Sequence, residues 1–242
     1  MQVAGKIALQ AVGVALLVAS LVTGLVTLAS AFLPDRYVAT GVGLVFFGAT
    51  WAMVWRKDDE AVERAGLAFG GLVLPGKLEW RRVGRDTRMA LGWALVLALL
   101  AFGPFYVGWR YWAELVWHSH ARFVLHMAPL AALNDLAGQV VLIALPEEAF
   151  YRGYLQSTFD LAFPPRLRLF GAEVGPAIVM TSAIFAVGHF ATQHDPGRLA
   201  VFFPSLVFGW LRAKTGGVGA SVAFHAACNV FSEALMRGYG IH

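Results

Sequence analysis

The chain has 242 residues, of which 58% are hydrophobic and only 14% charged, and its mean hydropathy of +0.63 exceeds what water-soluble domains of this length carry. That composition argues against an ordinary soluble enzyme and for a polytopic membrane protein. The net charge of +4 is clustered between apolar runs, which ties it to membrane orientation and argues against nucleic-acid binding.

The first apolar run, 7–33, carries no charge. Its Ala29-Ser30-Ala31 suits a signal-peptide cleavage site, but the run is longer than the roughly 7–15 residues of a secretory apolar region, so a retained anchor is expected. Crossing hydrocarbon takes roughly 20 residues. On that measure spans are expected at about 7–33, 37–55, 89–109, 130–150, 174–192, 199–212 and 217–236. The fold class is therefore an all-α membrane bundle of about seven transmembrane helices, with six to eight allowed because the last two runs are short. With the N-terminus cytoplasmic, thirteen Lys and Arg fall on inside segments, eight of them in 56–88, and five fall outside, which favours that orientation.

Segment 110–126, RYWAELVWHSHARFVLH, scatters charges among Tyr111, Trp112 and Trp117, and an amphipathic helix in the outer interface is expected there. His118, His120 and His126 have no carboxylate or cysteine beside them to complete a metal site and read as solvated. Asp135, after Asn134, reads as a helix-start residue. The single cysteine, Cys228, lies in an apolar segment and reads as a packing residue; no intramolecular disulfide is possible. The chain divides into 1–133, with N-terminal spans, basic loop and interfacial helix, and 134–242, a catalytic core, as one integrated membrane domain without internal repeats.

Ionisable groups at membrane depth are costly unless they face a cavity or one another. Asp135, Glu147, Glu148, Arg152, His189, His225 and Glu233 qualify. In LPEEAFYRGY, 145–154, helical spacing places Glu148 and Arg152 on one face in the favourable order. Glu147 is rotated about 100° away, so one carboxylate is tied down and the other is left to accept a proton. The plainer alternative is that Pro146 starts a helix whose positive end the two acids complement. Phe185 and His189 share a face of the next span, and His225 and Asn229 share a face of the last. A carboxylate, two histidines and an amide on three apolar helices are expected to converge on one polar cavity.

Such a set suits water-dependent acyl chemistry. Glu147 takes a proton from water, His189 orients the water, and His225 with Asn229 donates to a developing oxyanion. No Ser, Thr or Cys is placed as a covalent nucleophile. Two His and one Glu with an open position also form a catalytic zinc set, although there is no HExxH and the carboxylates lie on a different helix from either histidine. A non-enzymatic proton- or metal-coupled transporter, or a scaffold, is the competing class; paired broken segments in both halves would mark a transporter, and none is found.

The ordered motifs EExxxR at Glu147, Glu148 and Arg152, FxxxH at Phe185 and His189, and HxxxN at His225 and Asn229 resemble those of the CAAX protease and bacteriocin-processing family of intramembrane endopeptidases. The resemblance covers about 134–232. It implies a multi-helical fold with a membrane-embedded chamber and cleavage of peptide bonds near the C-terminal end or membrane anchor of protein substrates. It implies Glu147 as catalytic base, His189 as water-positioning partner and His225 with Asn229 as oxyanion site, supported by Glu148, Arg152 and Phe185. No cofactor is implied by the family's glutamate-peptidase chemistry, with zinc as the alternative. The implied partners are a membrane-anchored protein or peptide and the bilayer. A bacterial inner-membrane sorting or maturation protease, including the myxosortase-like branch, is the expected specialisation.

Overall fold

The computed structural model of the protein describes residues 2–72, 78–116, 118, 122–124 and 129–241. Its helices, in chain order, are α1 (Gln2–Ala29), α2 (Asp35–Trp55), α3 (Asp59–Arg64), α4 (Trp80–Val116), α5 (129–162), α6 (Pro176–Gln193), α7 (Phe202–Thr215) and α8 (Gly219–Gly238). A short antiparallel hairpin, β1 (Leu167–Leu169) and β2 (Ala172–Val174), lies between α5 and α6.

The outer helices are patterned for lipid. In α1, Ala8, Ala11, Ala15, Val18 and Val22 recur every three or four residues and are buried, while Leu9, Leu16, Leu17, Leu21 and Leu28 face outward. In α4, Ala90 and Ala94 are buried and Leu91, Leu95 and Leu99 are exposed. Small residues at the interface and large ones outside are what packing within a bilayer selects, because burying a leucine there gains little over leaving it in lipid. Three helices, Gln2–Ala29, Asp35–Trp55 and Trp80–Val116, are long and apolar enough to cross a membrane. The other four predicted spans fall on α5 to α8. Of these, α5 carries the charged cluster, and the 14 residues of α7 reach only about 21 Å against about 30 Å of hydrocarbon. Seven crossings therefore do not follow from helix length and apolarity alone.

Two sequence expectations are corrected. Residues 110–116 do not form a separate interfacial helix: they continue α4 without a break, and Arg110 pairs with Glu114 one turn on and lies 5.0 Å from the Tyr239 ring. His118 and residues 122–124 are not helical, and the remainder of that expected helix, with His120 and His126, lies outside the described residues. The hairpin was not expected. Its two-residue turn, Phe170-Gly171, has positive φ at both positions (48° and 80°), the geometry that suits the twist of paired strands.

The 56–88 connection is anchored under the bundle. Asp58 caps α3 by accepting from the Ala61 N–H at 2.8 Å, and Arg82 donates two hydrogen bonds to Glu63 at 2.6 and 2.5 Å. That hydrogen-bonded guanidinium holds the Glu63 carboxyl below the usual carboxylate range.

The site is positioned by α5, a continuous helix with π-helical winding over Gln139–Ala144 and again over Ala149–Gln156. Pro146 lies inside it rather than at a helix start, since Ala144 and Leu145 before it are already helical. An interior proline removes one N–H and crowds the carbonyl four residues back. The wider winding just ahead of Pro146, in which the Leu145 N–H bonds the Val140 carbonyl, accommodates both effects. The crowded carbonyl is that of Leu142, and α2 approaches it closely: a Cβ on Gly43 would stand 2.6 Å from the Leu142 oxygen.

Gly43→Ala should therefore push α2 off α5 and lower stability by about 1–3 kcal/mol, read as a fall in the thermal midpoint of the purified protein in detergent. Gly48→Ala, on the same helix with nothing within 4 Å of the added carbon, should be neutral or slightly stabilising. Equal effects from the two would refute the close approach.

Candidate active site

On α5, Glu148 and Arg152 are four residues apart and both 0% exposed. Arg152 Nη1 lies 3.1 Å from Glu148 Oε1, and Arg152 Nη2 donates to the Ser205 hydroxyl at 2.6 Å and to the Ser205 carbonyl at 3.1 Å. The rings of Phe185 and Phe208 flank the guanidinium at 4.8 and 5.2 Å, a cation–π setting that offsets part of its desolvation. One arginine thus joins α5 to α7 and α6.

The same Glu148 oxygen accepts from His225 Nδ1 on α8 at 2.8 Å. An ionised carboxylate only accepts, so Nδ1 carries the proton and Nε2 points onward. His225 Nε2 stands 3.9 Å from Glu147 Oε2, too far for a direct hydrogen bond and within reach of one bridging water. The His225 ring stacks on Phe208 with centroids 4.8 Å apart and planes 13° from parallel, which holds that direction. Glu147 is 9% exposed and its Oε2 is buried without a hydrogen-bond partner among the described residues. One acid is tied down and its neighbour is free, as the 100° rotation between them requires.

His189 on α6 has its Nδ1 3.0 Å from the Phe185 carbonyl. A carbonyl accepts, so here too Nδ1 bears the proton and Nε2 is left bare. Phe185 packs its ring 4.3 Å from His189 and 4.9 Å from Tyr151. Asn229 donates through Nδ2 to Gln139 Oε1 at 2.9 Å, which leaves its second N–H available. Glu147, His189, His225 and Asn229 all line one cleft of about 620 Å³, together with Gln139, Tyr151, Thr192, Gln193, Arg198 and Cys228. Among the described residues, no three His, Cys, Asp or Glu side chains are grouped as metal ligands.

Residues 129–231 match a family model described as type II CAAX prenyl endopeptidase Rce1-like. The matched segment opens with α5 and closes within α8, so it holds the acid pair, Arg152, both histidines and Asn229. That segment is similar to Rce1-like endopeptidase domains. Proteins of that family are glutamyl intramembrane proteases, which agrees with a buried glutamate pair joined to a histidine inside an apolar bundle. No curated protein and no solved structure matches the chain.

Within the matched segment some expectations change. Asp135 is not a helix start: it lies inside Pro129–Gly138 and pairs with Arg237 at 2.8 Å, and Arg237 also bonds Glu233 at 2.5 Å. The helix-start reading of the acid pair fails with Pro146 inside α5. Ser205, Phe208 and Gln139, which hold Arg152, His225 and Asn229, were not singled out from the sequence. Gln139 had a signal, as an amide within an apolar run two turns before Glu147.

Replacing Arg152 by Ala leaves Glu148 buried and uncompensated, a loss of about 3–5 kcal/mol; the variant should fail to give a monodisperse peak in fluorescence-detected size-exclusion chromatography. Ser205→Ala keeps the carbonyl acceptor and should cost only about 1–3 kcal/mol. An Arg152→Ala protein as stable as the parent would contradict the structural role of the pair.

Proposed function

We propose that the chain is an intramembrane endopeptidase that hydrolyses a peptide bond near the C-terminal end or membrane anchor of protein substrates, with Glu147 as general base. The observation that carries this reading is the unpartnered Glu147 Oε2, buried in the cleft and one water away from His225 Nε2. A water between them gives its proton to Glu147 as its oxygen attacks the scissile carbonyl. The tetrahedral intermediate collapses as the protonated Glu147 passes that proton to the departing amine. The second hydrogen of the water stays on its oxygen and becomes part of the new carboxyl group as the C–N bond breaks, Glu147 returns to its ionised form, and no covalent enzyme intermediate is formed.

The remaining roles follow from which hydrogens are already committed. His189 lines the same cleft with a bare Nε2 and accepts the second hydrogen of the water once His225 Nε2 is itself protonated, fixing its orientation. Asn229 has one N–H on Gln139 and a second for the oxyanion. His225, with its Nδ1 proton on Glu148, has a bare Nε2 while neutral, so it donates to the oxyanion only once that nitrogen is protonated. Gln139, by holding the Asn229 amide, is a positioning residue.

In our reading the bundle crosses the bilayer seven times with the N-terminus cytoplasmic, an orientation supported by the basic residues of 56–88. The specialisation we favour is a bacterial sorting or maturation protease of the myxosortase-like kind, acting on membrane-anchored clients.

Glu147→Gln preserves volume and removes the base. Processing should be abolished while the protein remains inserted and folded, as read by mass spectrometry of membrane proteins searched for uncut C-terminal segments; retained turnover removes Glu147 from the mechanism. Asn229→Ala should lower kcat by roughly 10²–10³, and a change confined to KM would assign it to substrate binding instead.

A further inference from the structure

The hairpin between α5 and α6 holds large apolar side chains in the open. Phe170, Leu167 and Leu169 are 82%, 70% and 49% exposed, and they lie on a connection, outside every helix. Strand register puts Leu167 and Leu169 on one face, opposite Val174 and Ala172, and places Arg168 with Glu173 on the other. Arg166 falls on the arginine face by the same alternation. Ala172 is buried where β2 rests on α7, so β1 overhangs with its leucines facing outward. Arg166 and Arg168 are exposed as well, and neither side chain has a hydrogen bond or ion pair among the described residues.

The hairpin is pinned at both ends. At its base the Arg166 N–H bonds the Val174 carbonyl at 3.3 Å, and a Cβ on Gly175 would stand 2.9 Å from Pro165 Cα. At its tip two side chains of α7 donate to the backbone, Lys214 Nζ to the Phe170 carbonyl at 2.9 Å and Trp210 Nε1 to the Leu169 carbonyl at 3.0 Å. These bonds leave the apolar side chains uncovered. They also fix the depth of the tip. Trp210 packs edge-on against Trp93 of α4 with centroids 5.3 Å apart, and Lys214 Nζ lies 5.7 Å from the Trp93 ring. The charged first turns of α4 end at Arg88, only about 7.5 Å along the helix from Trp93. A tryptophan pair with a reaching lysine, at the border between charged and apolar sequence, marks the membrane–water interface.

A two-stranded ribbon cannot sink into hydrocarbon, because its open edges leave backbone groups without partners there. An apolar tip held out into water is equally unfavourable. The headgroup layer suits both halves, with leucines toward the acyl chains and arginines toward the phosphates. Arg166, Arg168 and Lys214 face a single hairpin carboxylate, Glu173, so the charge favours an anionic surface. We infer that the hairpin docks on anionic phospholipid: Leu167, Leu169 and Phe170 enter the acyl chains just below the headgroups, and Arg166 and Arg168 bind lipid phosphates from the opposite face. The leaflet is the one on the side of the 56–88 connection. Because the hairpin joins α5, with the acid pair, to α6, with His189, this contact anchors the adjoining ends of both helices. The inference is independent of the endopeptidase reading.

The test places an environment-sensitive fluorescent amino acid at Phe170, or in a second variant at Leu167, by stop-codon suppression in the full-length protein in nanodiscs. Phospholipid brominated just below the headgroup should quench both labels more strongly than phospholipid brominated near the chain ends. A label at Leu99, exposed along α4, should show the reverse order, and one at Glu60, exposed on α3, should be quenched by neither. With the bromine carried by phosphatidylglycerol, quenching should match that of a roughly 30-fold larger fraction of brominated phosphatidylcholine, about fivefold for each arginine. The double variant Arg166→Gln/Arg168→Gln should bring the two lipids level. No quenching at either hairpin position, the order seen at Leu99, or a lipid preference that is absent or survives the double variant overturns the inference. Labels shielded only in discs that hold two copies of the chain assign the face to self-association and overturn it as well.

Discussion

A single oxygen atom organises the C-terminal half of the protein. Glu148 Oε1 is shared by Arg152 at 3.1 Å and His225 at 2.8 Å, and neither Glu148 nor Arg152 is exposed at all. Either charge alone in that setting would cost several kcal/mol. Together, with Ser205 accepting from Arg152 Nη2 and aromatic rings around the guanidinium, they form a rigid polar node that docks α5, α7 and α8. The node also fixes a direction, because a proton on His225 Nδ1 leaves Nε2 bare and aimed at Glu147. Helix docking and side-chain direction are thus consequences of one contact.

Much of this node was legible from spacing. Glu148 and Arg152 pair because they are one helical turn apart, Glu147 is free because it is one residue away, and the FxxxH and HxxxN pairs share faces for the same reason. The bond from His225 to Glu148 was not legible, since it joins residues 77 apart and depends on how α5 and α8 pack. Gln139 and Ser205 carry no such mark, because neither stands one turn from a histidine in sequence as Asn229 does. Neutral amides and hydroxyls cost less to bury, and so announce themselves less, yet they hold Asn229 and Arg152 in place.

The outer parts of the fold show a different limit. Aromatic and charged residues near 110–116 carry an interfacial composition, but composition does not show whether a helix ends or simply emerges from lipid; α4 does the latter. The hairpin turn uses Phe170 with positive φ in place of the Asn or Asp that usually marks such turns, so it left no familiar trace. The membrane-facing pattern of α1, small residues inward and leucines outward, was visible only as uniform apolarity until the packing direction was known.

The π-helical winding ahead of Pro146 bears on how such sites are aligned between chains. Eight residues separate Gln139 from Glu147, and at ordinary pitch that interval overshoots two full turns by about 80°, which would carry the amide off the acid's face. Winding with i→i+5 bonds turns less per residue, and both side chains reach the same cleft. The stretch therefore absorbs one surplus residue. A chain one residue shorter there, with seven between the two positions at ordinary pitch, falls only about 20° short of two turns and presents the same face. Register, rather than residue count, is what ties the amide to the acid, and a gap of one placed here in an alignment is structurally silent.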